Sequence, residues 1–169
     1  MRFASDDLTL AILITATTAA AVIDMRTRRV PNVLTIPLAA AGVTMAVLGL
    51  GQVGVGAAVA GCALGLLLML PLYALGATGA GDVKLFAAAG ALLGPGITIT
   101  AFLYTAIAGG AIALAVALRR GILRQTLLQT AGLTAGGTMK AMVDAPSSNN
   151  RFAYASAIAI GTVLAAWNA

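Results

Sequence analysis

Histidine and glutamate are both missing from this chain of 169 residues, and cysteine occurs once, at position 62. Their absence takes away the ligand sets of zinc peptidases and the base of a Ser-His mechanism. A single cysteine excludes an internal disulfide and a cysteine metal site. Cys62 lies in the apolar run GCALGLLLML and reads as a packing residue. Charged residues make up only 9% of the chain and aromatics 5%. What is left for chemistry is aspartate, lysine, arginine and hydroxyl groups, with no metal and no other cofactor expected.

What the chain has in abundance is apolar surface: 60% of its residues are hydrophobic, and the mean hydropathy is +1.00. Soluble domains do not have this composition. A bilayer core about 30 Å thick takes about 20 apolar residues per helix, which leaves room for about six or seven crossings with short connections. Long aliphatic runs rich in alanine, together with 20 glycines, favour packed helices over a barrel, whose strands would alternate apolar and polar positions. The expected fold is all-α, a polytopic bundle of about six transmembrane helices forming one domain over residues 1–169. The net charge is +5, but the basic residues flank apolar segments and form no face interleaved with aromatics. They read as a topology signal, so the lipid bilayer and not nucleic acid is the expected partner. The first span follows Asp6 and Asp7 without a basic region or a small-residue cleavage site. It reads as a retained helix and not a signal peptide.

The expected spans cover residues 8–23, 33–50, 53–75, 83–93, 97–118 and 152–167. The second follows Pro31-Asn32, a short turn around Gln52 leads into the third, and GATGAGD breaks the pattern at 76–82. The fourth is short for a crossing and ends at Gly94-Pro95-Gly96, while 119–151 is polar. Basic residues mark alternate loops: Arg26, Arg28 and Arg29; Lys84; then Arg119, Arg120, Arg124, Lys140 and Arg151. Lysine and arginine are retained in the cytoplasm, so these loops are cytoplasmic and the N-terminus lies outside.

Two acidic residues sit at membrane boundaries within the bundle, Asp24 at the end of the first span and Asp82 at the start of the fourth. The chain crosses the bilayer an even number of times between them, so both belong to the same face. Ionisable groups near hydrocarbon are costly and usually face a protein interior or a water-filled cavity. Two carboxylates brought together there share a proton, one acting as base and the other as acid, the equipment of an aspartic protease. Simpler readings stay open: Asp82 as a helix cap, and Asp24 as a solvated helix end beside Arg26 or Arg28. Gly79 and Gly81 leave bare backbone that a substrate segment can approach. Lys84 either tunes Asp82, contacts substrate, or snorkels at the boundary. Arg26, Arg28 and Arg29 are explained by topology alone, Pro31-Asn32 sets the entry of the second span, and Asp144 in the polar loop is given no role.

The stretches IDMRTRRVPN, GATGAGDVKLFAAAGALLG and FAYASAIAIG together resemble the type IV prepilin peptidases, the membrane aspartyl proteases of the Gly-x-Gly-Asp kind. The resemblance extends over nearly the whole chain. It implies removal of the leader from a prepilin-like, membrane-inserted protein at the cytoplasmic face of the bacterial inner membrane, with Asp24 and Asp82 at the catalytic positions. Larger members also methylate the new N-terminus and carry an additional cysteine-bearing region, so methylation is not expected here. The length is similar to that of the peptidases of tight-adherence (Flp) pilus systems, with the archaeal preflagellin peptidases a related possibility. Substrate and oligomeric state stay open. The rivals are a small proton- or cation-coupled transporter using the same two aspartates and a non-catalytic scaffold for pilus assembly.

Overall fold

The computed structural model describes residues 2–51, 53–119 and 154–168. Every regular element among them is helical: α1 (Arg2–Thr27), α2 (Asn32–Leu48), α3 (Val55–Ala74), α4 (Ala80–Arg119) and α5 (Tyr154–Trp167). Three stretches are long and apolar enough to cross a membrane: Asp7–Thr27, Val55–Ala74 and Ala80–Val116. The helices α2 and α5 are apolar but shorter, with 17 and 14 residues. The expected turn around Gln52, most of the polar stretch 119–151 with Asp144, and the start of the last span at 152 lie outside the described residues.

The longest helix is folded on itself. Gly94 has φ 72° and ψ 171°, a backbone region open essentially to glycine alone. The rings of Phe86 and Phe102 meet edge to face with centroids 6.1 Å apart, whereas residues so spaced on a straight helix would be separated by about 24 Å. The two limbs, 80–93 and 95–119, therefore run back along each other. Pro95 opens the second limb, where its fixed φ suits a helix start and its missing N–H is no loss. The expected break at Gly94-Pro95-Gly96 is thus present as a tight helical reversal, and the described residues form six helical segments.

The first limb of α4 is the core. From Leu85 to Gly94 every residue is buried, which requires a helix apolar on all sides. Glycine lets its neighbours come close. On α3, Gly61 and Gly65 make a small-xxx-small face, with Gly61 against the backbone of Gly90 and a Cβ at Gly65 reaching within 3.0 Å of the Ala87 Cα. On α2, a Cβ at Gly42 would come within 3.0 Å of Ala91. The second limb packs against α5, and α1 packs mainly against α5 as well. On α1 the buried residues Thr9, Leu13, Thr17, Ala20 and Asp24 form one stripe at helical spacing. The Thr17 hydroxyl is satisfied within the helix by the Leu13 carbonyl, at 2.6 Å. Ile36, Leu67, Leu103 and Ile107 are among the large apolar side chains left exposed, as lipid-facing surfaces require.

Two boundaries differ from expectation in ways that matter below. The helix α1 does not stop before Asp24 but continues to Thr27, because Arg28 takes the left-handed conformation, φ 54°, and returns its N–H to the Asp24 carbonyl at 2.7 Å. The limb expected to begin at Val83 begins at Ala80. A smaller difference is that α2 ends at Leu48, where left-handed Gly49, φ 66°, closes the helix onto the Met45 carbonyl.

Gly94→Ala should lower the unfolding midpoint in detergent, at a cost of about 1–3 kcal/mol, since its Cβ would also come within 2.8 Å of Val53. Gly96→Ala, with no atom within 4 Å of its Cβ, should leave the midpoint unchanged within error.

Candidate active site

Asp24 stands in the last turn of α1 on the inward stripe, with 6% of its surface exposed. The arginines that follow, Arg26, Arg28 and Arg29, are exposed, so the solvated helix-end reading of Asp24 does not hold. Its carboxylate accepts a hydrogen bond from the backbone N–H of Ala155, in the first turn of α5, where helical N–H groups lack partners of their own. The other carboxylate oxygen, Oδ2, is buried and has no hydrogen-bond partner among the described residues.

Asp82 is equally buried, 6% exposed, but its place in the helix differs from the expected N-cap. It is the third residue of α4, and Gly79 is the cap. The Gly79 N–H donates to Asp82 Oδ2 at 3.0 Å, while the Gly79 carbonyl accepts from the N–H groups of Asp82 and Val83 at 3.1 and 3.3 Å. This is the return half of a capping box, with a carboxylate in the first turn, where the helix dipole favours it. Capping thus occupies Oδ2, and a purely structural role accounts for that oxygen.

Gly81, expected to leave open backbone, is packed, whereas a Cβ at Gly79 would meet only the Asp82 carboxylate and the Gly81 nitrogen. A Cβ at Gly81 would come within 2.8 Å of the Val30 carbonyl oxygen and 2.9 Å of its Cβ, so Gly81 exists to let the start of α4 press against the segment that follows α1. Only Gly76 in the 76–82 break has a left-handed φ, 72°. Lys84 is exposed and donates to the Asn32 side chain at 3.0 Å, which ties the same two segments at their edge. Gly81 and Lys84 therefore join the segment after Asp24 to the start of the helix that carries Asp82.

The start of α5 completes the arrangement. Ala155 reaches Asp24, and Tyr154, half-buried, lies within electrostatic reach of Asp82. The start of α5 is thus hydrogen-bonded to one carboxylate and within electrostatic reach of the other. The Thr78 hydroxyl, in the break before Asp82, is buried and without a hydrogen-bond partner among the described residues. No group of three or more metal-binding side chains comes together among the described residues. Tyr154, Ala155 and Thr78 were not singled out from the sequence. Crossing parity could have found the first two, since it returns the start of the last span to the same face as Asp24 and Asp82; nothing in the sequence distinguishes Thr78.

The class that the fold and site define is a helical membrane protein with two inward-facing carboxylates gathered at one end of its bundle. The model of the type IV leader peptidase family matches residues 11–114, a range that includes both aspartates, and the chain belongs to that family. It is therefore a membrane peptidase by descent. None of the curated proteins and none of the solved structures compared matches it.

Gly81→Ala should lower the unfolding midpoint in detergent by the equivalent of about 1–3 kcal/mol, the usual cost of overpacking. Lys84→Met removes one exposed hydrogen bond and should shift it by no more than about 1 kcal/mol.

Proposed function

We propose that this chain is an aspartic endopeptidase that removes the leader from a prepilin-like precursor, with Asp24 and Asp82 as its catalytic pair. The observation that carries the reading is that two carboxylates far apart in sequence are both buried, 6% exposed, with Asp24 accepting from the Ala155 N–H and Asp82 within electrostatic reach of the neighbouring Tyr154. Burying an ionisable group is expensive, and membrane proteins keep such groups chiefly for function. Membership of the leader peptidase family supplies the reaction class.

In this mechanism the pair shares one proton. The ionised carboxylate takes a proton from water as the water oxygen bonds to the scissile carbonyl carbon. The protonated partner then donates to the leaving nitrogen as the C–N bond breaks, leaving a new carboxyl and a new amine. Oδ2 of Asp24, buried and without a partner among the described residues, is a natural acceptor for that water. The substrate is a single membrane-inserted helix lying against the bundle, with its leader drawn out over the 76–79 break and bound there as extended chain. The active end faces the cytoplasm of a bacterial inner membrane and the N-terminus lies outside, on the charge asymmetry of the loops. Flp-type precursors suit the short chain, and no methylation of the product is expected.

The transporter reading asks for polar groups in mid-bundle. The buried Thr98 and Thr162 hydroxyls donate to carbonyls of their own helices, Gly94 and Ile158, at 2.6 and 2.7 Å, while those of Thr35 and Thr105 have no hydrogen-bond partner among the described residues.

Asp24→Asn and Asp82→Asn, each at wild-type levels in membranes, should each slow leader removal from a co-expressed candidate prepilin by at least about a hundredfold, the contribution usual for a general acid or base. The size shift of the precursor reads the outcome. Undiminished cleavage by either variant would sink the dyad and bring the transporter or scaffold forward.

A further inference from the structure

Resting on the peptidase reading, we infer that Thr78 is a further catalytic residue of this site: its hydroxyl donates a hydrogen bond to the carbonyl oxygen of the scissile peptide as negative charge develops there. In the mechanism above, the two carboxylates serve the water and the leaving nitrogen, and that third atom has no group assigned to it.

Thr78 differs from the segment that holds it. Of residues 75–80 it alone is buried: Leu75, Gly76, Ala77 and Ala80 are exposed and Gly79 is half-buried. Only 7% of its surface is exposed, and its Oγ1 has no hydrogen-bond partner among the described residues. A threonine kept from water ordinarily spends its hydroxyl on nearby backbone, as Thr17, Thr98 and Thr162 do on carbonyls four residues back, at 2.6, 2.6 and 2.7 Å. A buried hydroxyl without a partner is costly. Thr35 and Thr105 also lack one, but both lie within helices, and Thr105 is packed on Gly161. Of these three, only Thr78 lies in the non-helical break over which the leader is drawn.

The chain itself keeps that hydroxyl close to Asp82. Thr78 immediately precedes Gly79, whose N–H donates to Asp82 Oδ2 at 3.0 Å. The path from Thr78 Oγ1 through its Cα to the Gly79 nitrogen is fixed by bond lengths and angles, so Oγ1 lies within about 8 Å of that carboxylate oxygen whatever the rotamer. A peptide carbonyl and its attacking water, at hydrogen-bond lengths of about 2.8 Å, bridge such a gap. Thr78 is also the residue before the helix cap, and Val83 is the fourth residue of the helix, the two positions whose side chains fold together in a hydrophobic staple. Both are buried here.

As the water oxygen bonds to the carbonyl carbon, the π pair moves onto the carbonyl oxygen. The Thr78 hydroxyl keeps its own proton and stabilises that charge by hydrogen bonding, until the pair returns to carbon as the C–N bond breaks. Because the acceptor gains its charge only on the way to the transition state, the bond acts on kcat and not on KM.

The test uses purified full-length enzyme in detergent and a prepilin substrate, with kcat, KM and the unfolding midpoint measured for each variant. Thr78→Val keeps the shape and removes the hydroxyl. Its kcat should fall about a hundredfold, as on loss of an oxyanion donor, with KM unchanged and the midpoint no lower than wild type, because a methyl replaces an unpaired polar group. Thr78→Ser keeps the hydroxyl and should hold kcat close to wild type although its midpoint falls. Thr78→Ala should lose kcat as Thr78→Val does and lose midpoint as well, so that activity follows the hydroxyl while stability follows side-chain volume. A wild-type kcat for Thr78→Val, an equal loss in Thr78→Ser, or a rise in KM at unchanged kcat overturns the inference. These results leave the dyad intact so long as Asp24→Asn and Asp82→Asn stay inactive. Cleavage by those two variants would instead remove the reading on which the inference rests.

Discussion

Helices in lipid gain little by hiding apolar surface from one another, because the acyl chains are as apolar as leucine. The central limb of α4 is drawn into this bundle by close backbone approach, which glycine permits at Gly61 against Gly90, Gly65 against Ala87 and Gly42 against Ala91. These contacts fix the limb along its length and hence its starting point, and Asp82 stands at that start. The second limb returns over the first only because Gly94 can turn there, and that return brings α5 to the site. If the close approach at α3 were lost, neither Asp82 nor the helix that faces it would have a defined position.

The parts of this arrangement that were legible in the sequence rest on apolar length and chain parity. Asp24 and Asp82 could be assigned to one face by counting crossings, and the reversal at Gly94-Pro95-Gly96 showed itself as two helix breakers beside a third flexible residue. The parts that were not legible depend on side-chain depth. Asp24 reads as the end of a span because MRTRR follows it, yet the helix carries on one more turn and leaves Asp24 on its inner stripe. Gly81 reads as open backbone because glycine has no side chain, but the missing atoms make room for Val30. Spacing alone cannot tell a glycine that admits a ligand from one that admits a neighbouring segment. Asp82 reads as an N-cap because the apolar run starts after it, whereas the cap is Gly79 and the carboxylate reaches back to it.

The same geometry explains why the site lies at the start of the central limb and not along it. At about 1.5 Å per residue, 80–93 spans about 21 Å, short of the roughly 30 Å of a hydrocarbon core. A limb whose far end reaches the opposite interface must begin several ångströms inside the near one. Asp82, at the start of that limb, is buried, with 6% of its surface exposed. The flanking helix α1 leaves its arginines exposed at its end, while Asp24, on its inner stripe, is buried.

Holding two carboxylates at that depth works against stability. The cost of desolvating a buried ion is several kcal/mol, and apolar residues of similar volume in its place are often neutral or stabilising. Asp82 recovers part of that cost through Gly79, and Asp24 through Ala155, but Asp24 Oδ2 recovers none among the described residues. An oxygen left in that state has value only if something arrives to meet it. Water and a substrate amide are the groups that could do so at the edge of a bilayer, and they are also the two reactants of peptide hydrolysis. The glycine contacts that fix the bundle therefore hold in place two buried carboxylates, one of them bonded to the start of α5.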